Sequence, residues 1–332
     1  MPDGPRILLG HGAGGRLSHQ LVKEHFLPHL GNATLDAMLD SAVLGDLAFT
    51  TDAYVVSPRF FPGGDLGRLA ICGTVNDLCM VGAKPQYLSA AFIVEEGLAL
   101  DELDQLVRSM AKAAEEARVS VVAGDTKVVP HGACDGAFIT TAGVGAIEAG
   151  FRPRPQKVVA GDVVIVSGTL ADHGVAIMAV RENIRLRGDL VSDVAPLSAL
   201  VGALREAKLE VHAMRDPTRG GVAQALLEIA AAARVRIILD EATIPMAPPT
   251  RAACELLGLD PLYVANEGKF LLFLPPEQAQ RALGLLHSHP LGRQAAIIGQ
   301  VQAGEVGCEL QNELGGRRAL RPASGELLPR IC

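Results

Sequence analysis

A mixed α/β (α+β) chain, folded as two domains of similar size with a C-terminal extension, is what the sequence predicts. Three observations carry this. Helix-like and strand-like apolar spacings alternate through both halves. The stretch "GFRPRPQKVVAG" places Pro, Gly and basic residues between apolar segments near residues 150 to 160, as a linker would. Beyond about Glu305 the composition turns polar and is punctuated by Gly and Pro. The expected units are 1–154, 155–305 and an extension, 306–332, containing a hairpin and a mobile tail that ends in a cysteine.

In chain order, "RILLG" reads as a short strand and "LSHQLVKEHFLPHL" as a helix. "AVLGDLAFTTDAYVVS" reads as two strand segments. "LGRLAICGTVNDLCMVGA" is apolar on nearly every side with small residues interspersed, which suits a helix buried against a sheet. "QYLSAAFIVEE", "SVVAGDT" and "GAFITTAGVGAIE" are strand-like, and "LDELDQLVRSMAKAAEEARV" is an amphipathic helix. The second half offers strands at "DVVIVSG", "RVRIILD", "YVANEGKFLLFLP" and "AAIIGQVQAG". Between them lie helices at "DHGVAIMAVREN", "PLSALVGALREAK", "GGVAQALLEIAAAA", "PPTRAACELLGL" and "PEQAQRALGLLHSH".

At 332 residues, 49% of them apolar, the chain can bury a large core. The net charge of −7 and the scattered Lys and Arg residues argue against a nucleic-acid partner. No charged segment followed by a long apolar one opens the sequence, and no apolar run is long enough for a bilayer, so a cytoplasmic protein is expected. Six cysteines without a C-x-x-C pair signal neither a disulfide framework nor a structural zinc. Five read as small core residues, whereas Cys332, in the closing "GELLPRIC", stands where a thiol should be exposed.

"GHGAGG" fits G-x-G-x-x-G between a strand and a helix, or a ligand-free glycine turn; Arg16 and Leu17 rule out a P-loop. More informative are Asp52 in "FTTDAYVV", Asp77 in "TVNDLCM", Asp125 in "VAGDTKVV" and Asp216 in "MRDPTRGG". An unpaired carboxylate beside apolar runs costs several kcal/mol. Short carboxylates from separate segments, with no Cys/His cluster, are what Mg²⁺ on a polyphosphate requires. Singly, each could be a turn or N-cap residue.

Lys127 shares a side of its strand with Asp125 and could meet a phosphate, or pair with Asp125. "DPTRGG" precedes a helix, so its glycines could admit an anion to backbone N–H groups while Arg219 adds a fork of donors; a plain turn is the alternative. Glu267 borders a very apolar strand, where a carboxyl with a raised pKa could serve as general base or could simply be solvated. His173 reads as a helix N-terminal residue.

Together "GHGAGG", "TTDAYVVSP", "GTVNDLCMVGAKP", "AGDTKVV", "DHGVAIMAVREN", "MRDPTRGGVA", "NEGKFLLFLP" and the closing "PRIC" resemble the HypE family of hydrogenase maturation factors. That family lies within the ATP-binding superfamily of aminoimidazole ribonucleotide synthetase, selenophosphate synthetase and thiamine-monophosphate kinase. The resemblance spans essentially the whole chain; Ala171 stands where a glycine is expected, and only "PRIC" separates this family from its relatives.

The resemblance implies a two-domain PurM-like architecture, ATP between the domains, and a homodimer formed through the N-terminal sheet. It implies that the carbamoyltransferase HypF loads a carbamoyl group onto Cys332, and that ATP-dependent dehydration yields a thiocyanate. The cyano group would then pass to iron on a HypC–HypD complex. On this footing Asp52, Asp77, Asp125 and Asp216 hold Mg²⁺-ATP, Asn76, Thr126 and Arg219 support the nucleotide, Lys127 polarises an oxygen, and Glu267 takes the amide protons. Competing readings are a small-molecule ATP-dependent kinase or synthetase of the same superfamily, a nicotinamide-dependent oxidoreductase and a non-catalytic scaffold.

Overall fold

A computed structural model describes residues 6–184, 188–323, 328 and 330–332. The N-terminal segment, expected as a strand, is a short 3₁₀ turn at Leu9–Gly12, and "LLG" has no neighbouring strand to pair with among the described residues. It leads into α1 (Arg16–Leu21) and α2 (Leu27–Leu30), joined by a π-helical turn.

A five-stranded sheet follows, built from β1 (Ala42–Leu44), β2 (Leu47–Tyr54), β5 (Ala83–Glu95), β6 (Ser120–Val129) and β7 (Ala137–Ile147) in the order β1-β2-β7-β5-β6. A small hairpin, β3 (Phe60–Phe61) with β4 (Gly64–Asp65), leads into α3 (Leu66–Met80). Asp65 caps α3 by accepting from the Arg68 amide at 2.8 Å. The helix is buried on nearly every side, as its small residues predict. A Cβ on Gly67 would come within 2.2 Å of the Leu106 carbonyl oxygen of α4 (Leu100–Ala117), so only glycine permits that approach. α4 contributes Leu106, Met110, Ala113, Ala114 and Ala117 to the core.

The helices cover one face of this sheet. Alternate residues of β2, Leu47, Phe49, Thr51 and Ala53, point to the other, open face, whereas Ala48, Thr50, Asp52 and Tyr54 point toward the helix side. Leu47, Phe49, Tyr87 and Ile93 on the open face are 41% to 51% exposed.

The second sheet has seven strands in the order β14-β13-β10-β12-β8-β11-β9. Its members are β8 (Val163–Val166), β9 (Ala213–Arg215), β10 (Arg236–Asp240), β11 (Leu271–Leu274), β12 (Ala296–Gln302), β13 (Gly307–Gln311) and β14 (Arg317–Ala319). The helices are α5 (Asp172–Arg181), α6 (Ser198–Glu206), α7 (Gly221–Ala233), α8 (Pro248–Leu257) and α9 (Pro276–His287).

The strands β8 and β11 are covered on both faces, which explains their unbroken apolar runs. Val164, Val166, Leu271 and Phe273 pack with α7, while Ile165, Leu272 and Leu274 join a core shared with α3, α4, α6 and α9. The two sheets' layers therefore meet through one hydrophobic core. Beyond Glu305, β13 pairs in parallel with β10 and antiparallel with β14, giving the expected hairpin a place in the sheet. Among the described residues no helix is long and apolar enough to cross a membrane.

Candidate active site in the interdomain cleft

Three carboxylates converge from distant parts of the sequence. Asp40 precedes β1, Asp77 lies in the last turn of α3 and Asp216 follows β9, and each offers an oxygen within 4.8 Å of the others. The Thr50 hydroxyl is 2.9 Å from Asp77 Oδ2 and 3.0 Å from the Asp40 carbonyl oxygen. Arg215 offers one nitrogen to Asp40 at 2.7 Å and another to Glu228 at 2.8 Å. Acids outnumber the guanidinium, so the cluster is anionic once its carboxyls ionise. A hard divalent cation is the group that an all-oxygen set of this kind accepts.

The acids' protonation carries the same message. Burial raises Asp40 to about 7 against the opposing pull of Arg215, and raises Asp216 to about 6, again against Arg215. Asp77 is pushed well above the ordinary carboxylate range by burial, then by Asp216 and Asp40. Each folded-state value exceeds its unfolded one, so the folded chain binds extra protons between about pH 4 and pH 7 and loses stability as pH rises through that window. We expect the melting temperature in chelator to fall from about pH 5 to about pH 7.5, and Mg²⁺ to restore more of it at the upper end. A Mg²⁺ gain that does not change with pH would count against a cation site here.

A cavity of about 410 Å³ extends from this cluster, lined among others by Gly12, Gly14, Asp52, Arg219, Glu267 and Cys332. Asp52 lies 3.7 Å from an Arg219 nitrogen. Arg219 belongs to the turn before α7, where Gly220 and Gly221 both have positive φ (79° and 64°), and a Cβ on Gly221 would meet the Leu262 carbonyl oxygen at 2.5 Å. That turn is held against residues 262 to 264, the chain that leads to Glu267.

Glu267 is 3% exposed, and its Oε1 has no hydrogen-bond partner among the described residues. Burial, then Asp216, Asp193 and Asp52, push its carboxyl well above the ordinary range, while Arg219 opposes them. Its loop is fixed from behind: the Glu267 amide donates to Asp193 Oδ1 at 3.1 Å, and Asp193 Oδ2 lies 3.3 Å from Lys269 Nζ. A buried, unpartnered acid facing a cavity is arranged for proton transfer rather than for stability.

Cys332 reaches the same cavity. Contrary to a tail free in solvent, its backbone oxygen accepts from the Val55 amide at 3.1 Å and the Arg330 oxygen accepts from the Ser57 amide at 3.2 Å, while Ile331 is 4% exposed. Pro329 lies outside the described residues. Burial raises the Cys332 thiol to about 12, with Arg219 pulling the other way. Of the remaining cysteines, Cys72, Cys79, Cys254 and Cys308 are buried, as small core residues should be, and Cys134 is only partly so.

Three expected residues stand elsewhere in the chain. Asp125, Thr126 and Lys127 lie on β6, the sheet edge farthest from β2. Through the register Ala53–Thr140–Ala91–Asp125, Asp125 shares the open face, and Lys127 sits there with it, 2.7 Å from Asp125 Oδ2. Three strand spacings, about 14 Å, and the thickness of the sheet separate them from Asp52 of the same chain. Asn76 is also not free for a nucleotide. Its Nδ2 donates to the Ala195 and Glu267 carbonyls at 3.1 and 3.2 Å, and its Oδ1 accepts from the Leu197 amide at 2.8 Å. It ties α3 to the loop that carries Glu267.

Among the described residues "GHGAGG" follows no strand and itself forms a 3₁₀ turn, which is not the dinucleotide-binding arrangement; it lies beside Arg219, whose Nη1 is 3.5 Å from the Gly12 carbonyl oxygen. Sequence reasoning missed Asp40, Arg215, Thr50 and Asp193. Only adjacency to Asp216 could have marked Arg215, and Asp40 sits in a stretch, "MLDSAVLGD", that resembles any turn before a strand.

Residues 38–147 match the AIR synthase related protein N-terminal domain, and residues 159–309 its C-terminal domain. The carbamoyl dehydratase HypE of Azotobacter vinelandii is 49% identical over 97% of this chain and 96% of its own length. A solved HypE in complex with ATP superposes with a TM-score of 0.84 at 45% identity, covering 98% of this chain and 100% of that one. The structure of a HypE–HypF complex gives a TM-score of 0.89 at 43% identity, covering 91% and 99%.

Proposed function

Because the chain belongs to the HypE family of carbamoyl dehydratases, we propose that Cys332 is its carbamoyl carrier and that the interdomain cleft dehydrates the carried group with ATP. The chain is a carbamoyl dehydratase of hydrogenase maturation. One observation supports the residue-level reading above all: the Cys332 thiol enters the same cavity as the unpartnered Glu267 carboxyl and the acid cluster.

The chemistry asks for what the cleft holds. Hydroxide is a poor leaving group, so the carbamoyl oxygen departs as phosphate after ATP phosphorylates it, with ADP as the other product. Two protons must leave the amide nitrogen. Glu267 takes the first as the oxygen attacks phosphorus and the second as the C–O bond breaks and the nitrile forms, returning each to water between steps. Its ionisation is linked to the charge on Asp216 and Asp52, so a loaded, neutralised acid cluster frees its carboxyl to act as base.

Asp40, Asp77 and Asp216 would hold Mg²⁺, with Asp52 beside them. When bound, the ion supplies charge neutralisation to the polyphosphate. Arg219, which lines the same cavity, would orient its oxygens.

Asp125 and Lys127 serve this reading from a second copy. The open sheet face, with Leu47, Phe49, Tyr87 and Ile93 uncovered, pairs with its twin in a homodimer, and β6 of each copy then faces the other's cleft. Lys127 of one copy would meet the reacting oxygen in the other. Outside the dimer, HypF loads Cys332 and an iron-carrying HypC–HypD complex receives the cyano group, all within the reducing cytoplasm.

The test is intact-mass measurement of the carbamoylated chain. With Mg²⁺-ATP it should lose one water per chain, and Cys332→Ala protein should never acquire the carbamoyl group. Modification of the alanine variant, or a loaded chain whose mass is unchanged by ATP, would overturn the reading.

A further inference from the structure

The end of the chain is gripped at every main-chain oxygen of its last three residues, with the Arg330 side chain and the buried Ile331 adding to the hold. The Ile331 carbonyl accepts from His173 Nε2 at 2.8 Å, and the Arg330 carbonyl accepts from Arg181 at 2.5 Å as well as from the Ser57 amide. With Val55 donating to Cys332, each of the last three residues has its main-chain oxygen engaged. Arg330 adds a return bond from Nε to the Val55 carbonyl at 2.9 Å and a salt bridge to Asp135 at 2.7 Å. His173 and Arg181 stand at the two ends of α5, about 12 Å apart along its axis. The tail thus lies between α5 on one side and residues 55 to 57 on the other.

His173 is built for this contact. It is fully buried, edge-on to Phe61 with ring centroids 5.5 Å apart, and its Nδ1 is 2.8 Å from Ser192 Oγ. That hydroxyl oxygen already accepts from the Val194 amide at 3.1 Å, so its own hydrogen is available to Nδ1. The tautomer is thereby assigned: Nδ1 accepts, and Nε2 keeps its hydrogen and points at the tail. Burial also lowers the ring's pKa and keeps it neutral.

We propose that His173, oriented by Ser192, and Arg181 are positioning residues that dock the carrier tail by its main chain and so hold it alike whatever group Cys332 bears. The inference rests on the carrier reading only for its purpose. The consequence is that the thiol, carbamoyl and thiocyanate forms have the same anchor, and release to a partner requires competition for these backbone groups and for the Ile331 seat.

Docking is measurable without ATP or a carbamoyl group, so its failure is distinguishable from failure of the dehydratase assignment to Cys332. In full-length protein carrying Cys134→Ser, the rate of Cys332 alkylation by iodoacetamide reports the undocked fraction, and buried Cys72 and Cys79 report an intact fold. Loss of one such hydrogen bond should speed Cys332 alkylation about tenfold. We expect that for His173→Ala and at least that for Arg181→Met, which also gives up the Nε bond to the Ser57 carbonyl at 2.6 Å, with Cys72 and Cys79 still protected, and near wild-type protection for His173→Gln, whose amide can donate from about the place of Nε2. Unchanged Cys332 rates in both disrupted variants would overturn the proposal. A glutamine variant as fast as alanine would overturn it for the His173 N–H, leaving only ring packing. If His173→Ala uncovers Cys72 or Cys79, Arg181→Met decides, and protection there equal to wild type overturns the docking role.

Discussion

Glu267→Gln is expected to reduce the dehydration of carbamoylated protein by about 10³-fold, within the range that general acid–base catalysis contributes, while loading of Cys332 and ATP binding persist. Glutamine keeps the shape of glutamate and cannot take a proton. It should also cost nothing in stability. The carboxyl at this position is held toward its neutral form by burial and by Asp216, Asp193 and Asp52, so a neutral isostere removes a charge that the folded chain disfavours. Melting temperature at about pH 8 should equal or exceed that of wild type. Single-turnover mass measurement on loaded chains checks the rate, and thermal unfolding checks the fold. A variant that dehydrates at the wild-type rate would remove Glu267 from the chemistry, and one that is inactive but unfolded would not support the assignment.

Mixing two inactive variants should restore activity. If each cleft takes Glu267 from one copy and Lys127 from the other, a dimer of a Glu267→Gln chain with a Lys127→Ala chain has one doubly damaged cleft and one complete cleft. After random re-pairing half the dimers are mixed, and half the clefts in those are whole, so about one quarter of wild-type activity returns. Either variant alone should sit at least about 10²-fold below wild type. Recovery is read from dehydration of the loaded Glu267-containing chain after denaturation and co-refolding. A mixture no more active than its parts would place Lys127 outside the partner's cleft.

Much of the architecture was legible because it depends on local pattern. The buried helix "LGRLAICGTVNDLCM" could be read from small residues on all sides, and the doubly covered "LLFL" strand from its unbroken apolar run. Ala213–Arg215, three residues long, has too little sequence to show a period, and "RILLG" has strand composition but no strand beside it among the described residues.

The site divides the same way. Asp52, Asp77, Asp216 and Glu267 could be picked out since acids beside apolar runs need a reason. Asp40 could not, because its meaning comes from the approach of β9 and α3, a tertiary fact. Asn76 shows the converse: its polarity inside an apolar helix serves three backbone groups that no local pattern reveals. In sequence His173 is only a helix-terminal residue, yet its ring contacts a carbonyl 158 positions away.

The seating of Arg330 to Cys332 changes what kind of kinetics the protein can show. A substrate joined to its own enzyme has no Michaelis constant in the usual sense, since dilution does not separate the two. Its local concentration is of the order of millimolar for a short flexible tether, and higher when the tether is already bound. Turnover per loading event is then a first-order decay, insensitive to chain concentration. Free thiocarbamates in solution would have to displace a segment anchored by Ile331 and its neighbours' main-chain hydrogen bonds before they could compete. With the substrate carried on its own chain, one loading supplies one cyano group.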